Sequence, residues 1–154
     1  MNHLVLSKLK WIKAVRDPNG WAYTRDRFQD SPHTIDHNYV TIFPLDFATN
    51  KAEMIEAADQ IALVQNGKLT HLVEILDCEP YEGKQGFHRL CRVLWWRPDI
   101  ADWTALPPQQ DLLGFEPALP DDEAHQIDTL SGFAARWGEN GRLAGFQSFF
   151  AERL

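Results

Sequence analysis

The chain of 154 residues carries only two cysteines, Cys78 and Cys91, spaced thirteen apart and with no CxxC pair. That scarcity excludes a disulfide scaffold and a zinc ribbon, and both thiols are expected to be reduced and buried. Long apolar runs are missing too: no window approaches the roughly eighteen apolar residues that a membrane span needs. The opening MNHLVLSKLKWIK lacks the apolar core of a secretory signal, so the expectation is a cytoplasmic protein with no membrane contact. Basic charge is short as well. Fifteen Lys and Arg against twenty-two Asp and Glu leave a formal charge of −7, which repels a polyanion at long range and requires any nucleic-acid contact to be local. No GxxxxGK[ST], GxGxxG or GxSxG is present, nor an HxE followed by PCxxC. No catalytic residue is therefore assigned, no cofactor or metal is implied, and the balance favours a protein that is not an enzyme.

What the chain has in quantity is aromatic surface, with six Trp and nine Phe, inside an ordinary 44% hydrophobic composition. This length suits one domain that buries its own core. HLVLS (3–7) reads as a first strand, and KLKWIKAV after it fits a helix or a continuing strand equally. Residues 16–38, RDPNGWAYTRDRFQDSPHTIDHN, are rich in turn formers yet carry Trp21, Tyr23 and Phe28, which predicts a folded excursion with short helical turns. YVTIF (39–43) reads as a strand closed by Pro44. Asn50 with Glu53 three residues on predicts a capped helix through KAEMIEAA. Asn66-Gly67 between IALVQ and Lys68-LTHLVEIL predicts a hairpin on a type I′ turn, pairing Leu63 with Thr70 and Ala62 with His71. Both hairpin faces are apolar, so the pair is expected to be covered on both sides. FHRLCRVLWW (87–96) is a long strand whose Trp95 and Trp96 point to opposite faces. A proline-rich stretch, 98–121, wraps the body, and two helices close the chain, the first from about Asp122 to Gly138 and the second around Leu143, Phe146, Phe149 and Phe150. Asp121, Asp122 and Glu123 supply favourable charge to the N-terminus of the first.

Several polar groups stand out. His71, set among aliphatics, is read first as a satisfied wall residue and second as a pocket lining. His33 and His37 with Asp36 have metal-compatible spacing on a loop, and a turn explains them more simply. Lys84, His88, Arg89, Arg92 and Arg97 concentrate positive charge, either as a basic strip for phosphates or as partners for carboxylates.

A helix passing through the acidic turn Ala58-Asp59 into the hairpin IALVQ-Asn-Gly-Lys-LTHLVEIL, and then a long strand, resembles the PUA-like superfamily, particularly its EVE, YTH and ASCH branches. There the turn is typically Gly-Asp, and the EVE branch carries a tryptophan beside a lysine-serine pair near the first strand; Ser7, Lys8 and Trp11 form a similar set in a different order. The resemblance implies a small barrel whose surface pocket holds a flipped-out or modified base against aromatic rings.

The expectation is thus an α+β single domain, 1–154. Its body, about 3–96, is a PUA-like small, strongly curved β-barrel or sheet flanked by helices, and its wrapping segment with two helices runs over about 98–154. The function expected is recognition of a nucleobase or nucleotide, free or in DNA or RNA. Trp11, Trp21 and Trp95 or Trp96 would stack, while Ser7, Asn38 and Arg89 would read edges or phosphate. Two other classes stay open: a protein-interaction or self-associating module, and a small hydrolase or nucleotide-processing enzyme using His71 or His88 with a nearby carboxylate.

Overall fold

The structure, a computed structural model, describes residues 4–37, 40–83, 86–97 and 102–154; the side chain of His37 is not described. Eight strands form one sheet among these residues: β1 (Leu9–Ala14), β2 (Ile35–His37), β3 (Val40–Phe47), β4 (Gln60–Gln65), β5 (Lys68–Ile75), β6 (Tyr81–Gly83), β7 (Gly86–Trp96) and β8 (Ala124–Gln126). Their order is β2-β3-β7-β5-β4-β1-β8, with β6 added to β7. Every pairing is antiparallel except that of β1 with β4. The class is mixed α+β, as expected, but the hydrogen-bonded ladder does not close into a barrel.

The sheet nevertheless curls. β1 and β3 are four places apart in the order, yet Lys13 Nζ on β1 lies 5.5 Å from the centre of the Phe47 ring on β3. Thr49 Oγ1, just past β3, donates to Glu123 Oε2 just before β8, at 3.0 Å. The two ends of the sheet approach one another with side chains between them, leaving a seam.

The hairpin of β4 and β5 turns on Asn66 and Gly67, both at positive φ (52° and 75°), as a type I′ turn requires. Pairing starts in the expected register, Gln65 with Lys68 and Val64 with Leu69. A bulge then leaves Thr70 without an opposite partner, so that Leu63 faces His71 and Ala62 faces Leu72. This slip moves the His71 ring to the face shared with Leu63 instead of Ala62. The hairpin is covered on both sides. On one face Ala62, Val64, Leu69 and Leu72 pack under Leu113, Phe133, Phe146 and Phe150; on the other Leu63, Val73 and Ile75 pack with Phe28, Phe43 and Phe47.

The first cover comes from α2 (Gln109–Leu113), α3 (Phe133–Trp137) and α4 (Arg142–Ala151). The second comes from the excursion, whose α1 (Arg25–Asp30) is capped by the Thr24 side chain. Buried Gln65 ties this excursion to β4: its Oε1 accepts from Ala22 N (2.9 Å) and its Nε2 donates to Gly20 O (2.7 Å).

Four expectations need correction. KLKWIKAV carries the first described strand, at Leu9–Ala14, downstream of the anticipated 3–7. The helix expected through KAEMIEAA is one 3-10 turn, Asn50–Met54, capped by Thr49. Pro44 does not end its strand: β2 stops opposite Ile42, so from Phe43 onward β3 is a sheet edge where a missing N–H breaks no ladder bond. Asp121 to Glu123 lead into a strand, β8, because residues 124–126 are taken up as the neighbour of β1, and the helix begins only at Phe133.

One turn holds the curl in register. Asp59, 5% exposed, accepts from Trp11 Nε1 and from Glu56 N, both at 3.0 Å, while its backbone carbonyl accepts from Ile75 N at 2.9 Å. Reaching that arrangement puts Ala58 at φ 73°, the left-handed region. A Cβ there costs about 1–2 kcal/mol, and glycine's extra freedom in the unfolded chain offsets about 0.4–1 kcal/mol of the relief. Ala58→Gly is therefore expected to stabilise the protein by roughly 0.5–1 kcal/mol, seen as a raised denaturant midpoint at unchanged slope; a lowered midpoint would contradict this account of the turn.

Candidate ligand cleft

The seam is not filled. A cleft of about 900 Å³ opens along it, walled by the end of β1, the excursion and the free edge of β3, with Tyr81, Gly83 and His88 on β6 and β7, on the opposite side of β3 from that edge. Alternation along β1 puts Lys13 in phase with buried Trp11 and Val15, which brings a lysine to the apolar side, 5% exposed. Its Nζ donates to Ala14 O at 3.2 Å and sits over Phe47. No carboxylate oxygen of the described residues comes within the 4.0 Å of a salt bridge. Burial lowers its pKa below the ordinary lysine range, against the pull of Asp122, Glu123, Asp46 and Asp121.

The other cations of the cleft are matched. Arg27 is hydrogen-bonded to Asp17, whose carboxyl it holds below the usual carboxylate range, and Arg16 Nε lies 2.8 Å from Asp122 Oδ1. On the far wall Tyr23 Oη accepts from Asp46 N at 3.3 Å, and burial pushes its phenol pKa upward. His88 Nδ1 lies 2.7 Å from Asp46 Oδ1, off the line of a straight hydrogen bond. Its ring crosses β6 only because residue 83 is glycine, since a Cβ there would come 2.1 Å from His88 Nε2. Tyr81, 45% exposed, leans on His88 with ring centres 5.2 Å apart.

None of the tryptophans expected to stack lines this cleft. Trp11 is 6% exposed and spends its N–H on Asp59. Trp21 packs edge-on against Trp103 at 5.5 Å. Trp95 and Trp96 do point to opposite faces: Trp95 joins the helix-covered core beneath the Arg97 guanidinium, and Trp96 stacks on His71 at 5.5 Å. Ser7 is exposed in the turn before β1, and Asn38 lies outside the described residues.

Arg89 is a correction. It is fully buried, with Nε bonded to Asp77 Oδ1 (2.7 Å), Nη2 to Asp77 O (2.7 Å), and Nη1 to Ala52 O (2.6 Å) and Ile55 O (2.5 Å). It brackets the 3-10 turn to the β5–β6 connection and has nothing left for a phosphate. Arg92 is paired with Glu74, so the basic strip is dispersed into separate contacts. Cys91 is buried as expected but Cys78 is exposed. Of the metal-spaced set, Asp36 accepts from Thr41 and His33 is exposed; no group of three potential ligands converges among the described residues.

Lys13, Phe47 and Tyr81 escaped sequence reasoning. Had β1 been placed at 9–14, a lysine in phase with Trp11 and Val15 would have flagged the site. Comparison with protein-family models, curated proteins and solved structures found no match.

His71 is wall. Nε2 faces Tyr23 O at 2.9 Å and Nδ1 faces Thr70 Oγ1 at 2.8 Å. A carbonyl only accepts, so Nε2 carries the proton and neutral Nδ1 accepts from the threonine. Burial lowers the pKa to about 4, outweighing the opposing effect of the hydrogen bond to the Tyr23 carbonyl. The unfolded chain titrates near 6.5. Between these values only the unfolded state takes up the proton, so the histidine's contribution is complete above pH 6.5 and is lost as pH falls toward 4. NMR is expected to show His71 as the neutral Nε2–H tautomer at pH 5.5, with denaturation midpoints declining through that window; a titration midpoint near 6.5 would overturn the assignment.

Proposed function

We propose that the protein is a binding module for a nucleobase or nucleotide, held in the seam cleft. The observation that carries the reading is the make-up of that one cavity. At about 900 Å³ it falls within the roughly 300–1,000 Å³ of small-molecule sites, and it joins the rings of Tyr23, Phe47 and Tyr81 to the polar groups of Lys13, Asp46 and His88. A flat guest is suited to the exposed Tyr81 ring, with donors and acceptors around it for base edges. A pocket at the rim of a curled sheet is also what the resemblance to PUA-like domains implies.

A free nucleotide or a single extruded base suits the site better than a long polymer. The protein's charge is −7, and Arg16, Arg27, Arg89 and Arg92 are each occupied by carboxylates, so among the described residues no open basic track leads away from the cleft. We place the protein in the cytoplasm, where its free thiols Cys78 and Cys91 stay reduced. No helix among the described residues is long and apolar enough to cross a membrane.

Calorimetric titration with bases, nucleosides and nucleotides, plain and modified, tests the reading. Binding of at least one is expected, and Tyr81→Ala is expected to weaken it by about 5- to 150-fold, the range for one lost aromatic stack of about 1–3 kcal/mol. No heat and no competition from any compound of the panel at low salt would refute it.

A further inference from the structure

Lys13 is built differently from every other cation in the cleft. Arg16 and Arg27 each meet a carboxylate, whereas the Lys13 amine has one hydrogen bond, to Ala14 O, and lies over the apolar Phe47 ring. An ammonium carries three donors and strong hydration. One acceptor and 5% exposure satisfy the neutral amine far better. The charged groups acting on it are Asp46 from β3 and Asp121, Asp122 and Glu123 from the lead-in to β8, and Arg16, two residues past β1 in the cleft lining, is itself engaged with Asp122. The carboxylates moderate the effect of burial without reversing it.

We propose that Lys13 is a nucleophilic amine that captures a small aldehyde or keto acid as a reversible imine. The neutral nitrogen's lone pair adds to the carbonyl carbon while the C=O π pair moves to oxygen, and a proton passes from nitrogen to that oxygen to give a carbinolamine. Protonation of the hydroxyl and loss of water leave the iminium, and addition of water reverses the sequence. The balance needs no oxidant or reductant. Asp46 and Asp122 line the same cleft, beside His88 and Arg16 respectively, and in this proposal they relay the proton. The proposal shares the cleft with the nucleotide reading but does not require the guest to be a nucleotide.

The test incubates the intact protein with glyoxylate, and separately with propanal, in the presence of cyanoborohydride, which reduces an iminium to a stable secondary amine. Peptide mass spectrometry then maps the label over the six lysines. Modification of Lys13 faster than any other lysine by about tenfold or more is expected with at least one probe. Labels spread over the exposed lysines, or absent from Lys13, would overturn the proposal. Lys13→Arg is expected to abolish the selective adduct, and should that variant not fold, the peptide map of the unaltered chain decides alone. Nucleotide binding with an unlabelled Lys13 refutes only this inference; selective labelling that no nucleotide slows, in a protein that binds none, refutes only the nucleotide reading.

Discussion

Among the described residues, β3 beyond Ile42 has a neighbour on one side only, and the rest of the molecule is arranged around that unpaired edge. Antiparallel pairing directs alternate residues to opposite neighbours. Asp46 N donates to the Tyr23 hydroxyl, away from β7, so the nitrogen of Pro44 faces the same way and its missing N–H costs the ladder nothing. The sheet curls until β1 and β8 come opposite this edge, but proline on one side and intervening side chains between prevent a last row of hydrogen bonds. A sheet nearly closed without being sealed keeps a cleft at the join.

Two brackets keep the curl from relaxing. Asp59 joins the lead-in of β4 to the indole of β1, and Arg89 joins the 3-10 turn after β3 to the connection after β5. Both are charged groups nearly or wholly out of water, and both have partners that compensate the desolvation. Lys13 has one backbone carbonyl and no carboxylate at salt-bridge distance among the described residues, which sets it apart from these two.

How much of this was legible in the sequence depended on whether the deciding interaction was local. The Asn66-Gly67 turn, the long β7, the opposed Trp95 and Trp96, and the short helix in the excursion all follow from local propensity and alternation, and the structure has each of them. The bulge at Thr70 was not legible, since nothing local announces an extra residue, and it alone decided which face His71 joins. Nor was the commitment of Arg89, whose partners lie 12, 34 and 37 positions away in the chain, or of Trp11, whose partner lies 48 away. An aromatic-rich composition suggests a stacking site wherever tryptophans cluster; here they pack into the body, and the cleft takes shorter rings that the excursion and β6 bring to β3. Ala58 takes up the left-handed conformation that the turn demands, which its side chain gives no local sign of.

The open seam is tested most directly by amide hydrogen exchange along β3. Leu45 N–H points to β7 within the ladder, whereas Asp46 N–H is held only by the Tyr23 hydroxyl. Asp46 is predicted to exchange much faster than Leu45, and Tyr23→Phe to accelerate Asp46 while leaving Leu45 unchanged. Equal, slow exchange at both amides would mean that the edge is paired and the cleft closed, contradicting the account.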